Sequence, residues 1–119
     1  MKSNKDKKYD LEERTFFYAK NVIEYVRNLP KGIGLSEIGK QLVRSAGSVG
    51  ANYIEANECL SKKDFIMRVK ICKKEAKESH YWLNLSIPIK IHESTKLELM
   101  CESEELQKIF GAIIRNSNA

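Results

Sequence analysis

Proline is nearly absent from this chain. Pro30 and Pro88 are the only two in 119 residues, and there are only six glycines. With nearly a third of the residues charged, that scarcity fits a mostly helical domain and excludes a turn-rich sandwich or a low-complexity linker. Cysteine is scarce too. Cys59, Cys72 and Cys101 are odd in number and far apart, with no CxxC pair, so neither a disulfide framework nor a zinc knuckle is indicated and a reducing, cytoplasmic setting is the default. The two histidines, His80 and His92, have no Cys, His or carboxylate at a ligand spacing. No Glu-x-x-His pair of the kind that loads metal into helix bundles occurs. Lys31-Gly32-Ile33-Gly34 lacks both the GK[ST] ending and the preceding strand of a phosphate loop. No catalytic constellation is therefore expected, nor any metal or cofactor. The N-terminus MKSNKDKKYD carries charge but no apolar core, so no signal peptide is expected. No apolar run approaches membrane-spanning length, and no stretch alternates with period two.

What is present is helical periodicity, in four blocks. In the first, Asp10 is a plausible N-cap. Leu11, Phe16, Ala19, Ile23, Val26 and Leu29 make a buried stripe broadened by Phe17, Tyr18 and Tyr25, and Pro30 ends the helix. Ser36 is placed to cap the second helix, in which Ile38, Leu42, Ala46, Val49, Tyr53, Ala56 and Leu60 recur every three or four residues. Gly39, Gly47 and Gly50 fall inside it, each costing about 1 kcal/mol against alanine. Gly39, Val43, Ala46 and Gly50 share a side that lets a neighbouring backbone approach, either another helix of the same chain or another subunit. A polar stripe, Arg44, Ser48, Asn52 and Glu55, flanks the apolar face and suits a polar network at a helix seam or a ligand contact.

The third helix opens on a Ser61/Asp64 capping pattern. Phe65, Val69, Cys72, Ala76, Ser79 and Leu83 then step 4-3-4-3-4 as a bundle seam. Almost opposite lie Lys63, Lys70, Lys74 and Lys77, closed by Tyr81, with Lys62, Arg68 and Lys73 alongside. Such a row is either a solvated face or a surface that tracks phosphates, and lysine suits phosphate without reading bases. Candidate nucleic-acid contacts are thus Lys63, Arg68, Lys70, Lys73, Lys74 and Lys77. Met67, Ile71 and Trp82 fall out of phase with the seam and mark a candidate oligomer interface. The helix is expected to end near Ile87, at Pro88. A fourth helix from about Thr95 to Arg115 buries Leu99, Leu106, Phe110 and Ile113, with Leu97, Met100 and Ile109 beside them; its first half is acidic.

The expected architecture is all-α: an antiparallel up-down-up-down four-helix bundle over residues 10–115, with a flexible basic tail at 1–9 and a fraying terminus at 116–119. The net charge of +5 biases partners toward anions.

Arg44-Ser45-Ala46-Gly47-Ser48-Val49-Gly50-Ala51-Asn52-Tyr53-Ile54-Glu55-Ala56 resembles the R-S-x-x-S-V-x-A-N-x-x-E-[AG] signature of a bacterial family. This is the "four helix bundle protein" family, first noted as products of intervening sequences in 23S ribosomal RNA genes. Tyr9–Phe16, Ser61–Phe65, Lys70–Ser79 and Tyr81–Leu83 resemble the same family in order, so the likeness runs from about Tyr9 to Phe110. The resemblance implies a four-helix bundle assembled as a homopentamer. It also implies a relation to accessory proteins of diversity-generating retroelements, which are basic pentamers that bind nucleic acid and a reverse transcriptase. The family supplies no catalytic or ligand residues, so Arg44, Ser48, Asn52 and Glu55 carry over only as signature positions. Two functions follow as expectations. One is a non-enzymatic, RNA- or DNA-associated oligomer acting through the third helix. The other is a homo-oligomeric scaffold for another protein, without nucleic-acid contact.

Overall fold

A computed structural model describes residues 4–118, with side chains from 11 to 117. Four helices follow one another: α1 (Asn4–Arg27), α2 (Ile33–Asn57), α3 (Lys62–Leu85) and α4 (Glu93–Asn118), with a single 3₁₀ turn at Lys90–His92 leading into the last. Among the described residues there is no strand. Connections of a few residues force each helix to run back along its predecessor. Accordingly α2 packs on α1 and α3, α4 packs on α3, and α1 closes more sparsely on α4. This is the expected four-helix bundle.

Its boundaries differ from the sequence reading in instructive ways. α1 reaches back to Asn4, so Asp10 lies inside the helix rather than capping it. The backbone of 4–9 and of 116–118 is helical where tails were expected, while residues 1–3 and 119 lie outside the described residues. α2 begins at Ile33, ahead of Ser36, whose N–H bonds Gly32 O at 2.9 Å as part of the first turn. Gly32 starts the helix from φ 157°, ψ 154°, a region that essentially only glycine visits. Leu60 lies beyond the end of α2 and is wholly exposed. α3 does open on the Ser61 cap, whose hydroxyl accepts the Asp64 N–H at 3.1 Å. It ends at Leu85, two residues earlier than expected, because Ser86 turns extended ahead of Pro88 and bonds back to Leu83 and Trp82.

The core follows the predicted seams of α2, α3 and α4: Leu42, Ala46, Val49, Tyr53 and Ala56 meet Val69, Cys72, Ala76 and Leu83, and Leu99, Leu106 and Phe110 close it. α1 is the exception. Its buried stripe is Leu11, Thr15, Tyr18, Val22 and Tyr25, while Phe16, Phe17 and Ile23 face solvent. Two tyrosines can be buried because their hydroxyls find partners across the bundle. Tyr18 Oη meets Ser79 at 2.6 Å and Tyr25 Oη meets Ser86 at 2.5 Å. The Ser79 hydroxyl donates to Ala76 O and that of Ser86 to Leu83 O. A serine has one proton to give, so both tyrosines are the donors. Burial raises the Tyr18 phenol to about 12.

Two of the three α2 glycines are explained within the chain. A Cβ at Gly39 would stand 2.9 Å from Val26 Cγ1, and one at Gly50 would stand 3.1 Å from Thr15 Oγ1. The small-residue side is where α1 comes close. Gly47 faces open space.

Candidate nucleic-acid interface

The 3.6-residue repeat that buries Val69, Cys72, Ala76, Ser79 and Leu83 necessarily turns the opposite side of α3 outward. Lys63, Lys70, Lys74 and Lys77 stand there, all exposed. α3 carries seven cations (Lys62, Lys63, Arg68, Lys70, Lys73, Lys74, Lys77) against three acids (Asp64, Glu75, Glu78). Among the described residues, none of those four outward lysines makes an ion pair. The remaining two candidates lean elsewhere, though both are exposed. Arg68 Nη1 donates to Asn52 Oδ1 on α2 at 2.9 Å, and Lys73 Nζ reaches over α4 to within 3.6 Å of where a Gly111 Cβ would stand. The six cations therefore form one outward line with a branch on each flank.

Two of the three acids of α3, Glu75 and Glu78, are engaged from α2, while Asp64 stays exposed in the first turn. Arg44 pairs with Glu78 through Nη2 and approaches Glu75 Oε1 through Nη1 at 3.4 Å. Glu75 is 9 % exposed, and that oxygen has no hydrogen-bond partner. The guanidinium compensates its charge without completing a hydrogen bond. Glu78 also accepts the Trp82 indole N–H at 3.1 Å. These two partners, Trp82 first and then Arg44, hold the Glu78 carboxyl below the usual range against partial desolvation, helped by the nearby Lys74 charge. Glu75 and Glu78 are thus drawn sideways to α2.

The polar stripe of α2 is a seam network. Besides Arg44, Asn52 Nδ2 donates to Ser48 O at 2.8 Å and to Ser48 Oγ at 3.0 Å, and its oxygen takes Arg68. Glu55 is exposed at its end and joins none of these bonds. Of the candidate oligomer residues, Met67 is 56 % exposed, whereas Ile71 is half-buried and Trp82 packs partly against the core of its own chain. The three do not make one equally exposed patch.

Two grooves escaped the sequence reading. One, about 750 Å³, runs where α1 and α4 part, lined by Tyr18, Tyr25 and Leu99 and spanned by Arg14, whose Nε and Nη2 each meet Glu102 at 2.7 Å. The other, about 710 Å³, lies at the α1–α2 turn, with Arg27, Lys31, Lys40 and Arg44 around Val26, Leu35 and Val43. Neither is visible as a motif, because each gathers residues from two helices. Among the described residues no three of His, Cys, Asp and Glu gather as a metal site, and no helix is long and apolar enough to cross a membrane.

Comparison with solved structures places the chain beside a protein of unknown function from the S23 ribosomal protein family of Bacteroides thetaiotaomicron, determined at 1.70 Å. The two are 28 % identical with a TM-score of 0.75, over 92 % of this chain and 98 % of that one. Among curated proteins no match was found. The profile of the 23S rRNA-intervening sequence proteins matches residues 7–112, which takes in all of α2 and α3 and most of α1 and α4. With that span of sequence matched, and with Arg44 and Asn52 of the signature bonded across the α2–α3 seam, the chain belongs to the 23S rRNA-intervening sequence protein family.

Proposed function

We propose that this protein is a non-enzymatic, nucleic-acid-binding homo-oligomer that holds phosphates along the outward line of α3. The observation that carries the reading is the division of charge on that helix. Lys63, Lys70, Lys74 and Lys77 face solvent without ion-pair partners among the described residues, while Glu75 and Glu78 are engaged by Arg44. Arg68 and Lys73 widen the line toward α2 and α4. Lysines present point charges rather than planar forks, so binding is weakly sequence-specific. The family's name makes structured ribosomal RNA the first probe, and the resemblance to retroelement accessory proteins points equally to DNA. Homo-oligomerisation, as a pentamer by resemblance, draws on a separate observation. Ile87, Ile89, Ile91 and Leu97 are all about half exposed or more around the α3–α4 connection, beyond the scattered single apolar residues of an ordinary surface.

The test is fluorescence anisotropy with a structured RNA and a duplex DNA at low and moderate salt. The comparison is wild-type protein, cleared of nucleic acid, against Lys70→Glu/Lys74→Glu/Lys77→Glu. Binding that weakens steeply with salt is expected, with a log–log slope about 2–3 smaller in the triple variant, from three lost phosphate contacts at 0.7–0.9 each. No binding at low salt by a folded wild-type protein would refute the reading. A protein partner recovered from nuclease-treated lysate would then favour the scaffold alternative.

A further inference from the structure

The lysine line of α3 ends on an aromatic that the core does not require. Tyr81 lies eighteen residues after Lys63, five full turns, and so points the same way about 27 Å along the helix. It is one turn beyond Lys77 and is 57 % exposed. An exposed tyrosine is ordinary; one held in place from behind is less so. The Tyr81 ring stands edge-on to Trp82, with centroids 5.1 Å apart and planes at 74°. Trp82 in turn packs partly against the core and donates its indole N–H to Glu78, which is held by Arg44 on α2. A chain of contacts thus runs from the signature arginine to the ring at the end of the line. Such a ring has less rotamer freedom left to lose when something stacks on it.

Phosphate contacts position a strand, and aromatic faces hold its bases when those bases are free. In an uninterrupted duplex the base faces are already stacked on one another. A ring one turn past Lys77, about 6 Å along the helix, can therefore be stacked on only by a strand with an unpaired base. We propose that Tyr81 is the base-stacking residue of this surface and makes it selective for unpaired over duplex nucleic acid. The inference rests on the phosphate-binding reading of the lysine line. It adds a ligand class, single-stranded RNA or DNA or a looped-out segment, and assigns Arg44, Glu78 and Trp82 as positioning residues.

The experiment uses a fluorescein-labelled twelve-nucleotide single strand of mixed sequence, as RNA and as DNA, and the matching duplexes. Proteins are the full chain as wild type, Tyr81→Ala, Tyr81→Phe and the triple lysine variant. Because Tyr81 is outside the core, its substitution leaves the helical circular dichroism unchanged. Tyr81→Ala is expected to weaken single-strand binding at least about fivefold with the salt slope unaltered and duplex binding little changed; Tyr81→Phe restores it. Trp82, the only tryptophan, gives a second readout, since a base on Tyr81 alters its fluorescence in the wild type and not in Tyr81→Ala. If Tyr81→Ala binds single strands as the wild type does while the triple lysine variant does not, the stacking role is overturned and the phosphate line stands. If the wild type binds none of the probes, both fail.

Discussion

The buried Tyr18 hydroxyl permits a stability prediction in which the order of effects, not only their size, is set by the structure. Tyr18 and Ser79 are 1 % and 0 % exposed, and their oxygens lie 2.6 Å apart. Tyr18 must donate, because the Ser79 proton goes to Ala76 O. Ser103, also fully buried, offers Tyr18 a second hydroxyl, its own proton going to Met100 O. Tyr18→Phe removes one net hydrogen bond and costs about 1 kcal/mol. Ser79→Ala costs about the same, since the phenol can turn to Ser103. Ser79→Ala combined with Ser103→Ala leaves the phenol O–H buried with no acceptor, a penalty of about 1–3 kcal/mol beyond the sum of the singles. Adding Tyr18→Phe to that pair removes the orphaned donor and recovers most of the excess. Urea unfolding with unchanged m-values reads each step, and about 1 kcal/mol corresponds to a few degrees in Tm for a chain this size. Additive serine variants, or further destabilisation by Tyr18→Phe in the double-serine background, would refute the assigned donor direction.

Two further predictions come from other parts of the bundle. Gly39→Ala should destabilise by about 1–3 kcal/mol by pressing on Val26, whereas Gly47→Ala, facing open space, should stabilise by about 0.5–1 kcal/mol; thermal melts of both decide. In thiol titration at pH 8, Cys101 should react fast, half-buried Cys59 more slowly, and Cys72 only after unfolding, because burial lifts its thiol to about 12. The same shift has a sign in stability. Cys72 and Tyr18 hold their protons more tightly folded than unfolded, so their contribution is complete below pH 9 and is lost as pH rises toward 12. Alkaline unfolding should begin in that window, and in Tyr18→Phe stability should fall less steeply with pH across it.

Much of α3 can be read without coordinates. Its seam, its Ser61 cap and its outward lysines all follow from a 4-3-4-3-4 repeat, and each sits where the repeat puts it. The same method put Phe16, Phe17 and Ile23 of α1 toward the core, and there it failed. Ranking side chains by apolar character puts Phe and Ile first and Tyr18 and Tyr25 only at the margin of the stripe, yet the two tyrosines are buried at its centre, with Thr15 and Val22, which the ranking missed. The burial of the two tyrosines depends on Ser79 and Ser86, sixty-one residues away, and no local pattern announces that partnership. The helix starts of α1 and α2 were misplaced for a related reason. A plausible cap such as Asp10 or Ser36 marks where a helix can begin; α1 is already helical at Asn4, and α2 starts from Gly32.

The candidate site divides along the same line. That α3 is basic on one side and ends that side on Tyr81 is a property of spacing, because a helix carries its own periodicity wherever it is packed. Which charges remain available is a property of the neighbour. Arg44 on α2 engages Glu75 and Glu78, and Asn52 draws Arg68 to the seam. Hydrogen bonds and ion pairs between helices depend on distances of a few ångströms between residues far apart in the chain. Those distances exist only once α2 and α3 have packed together.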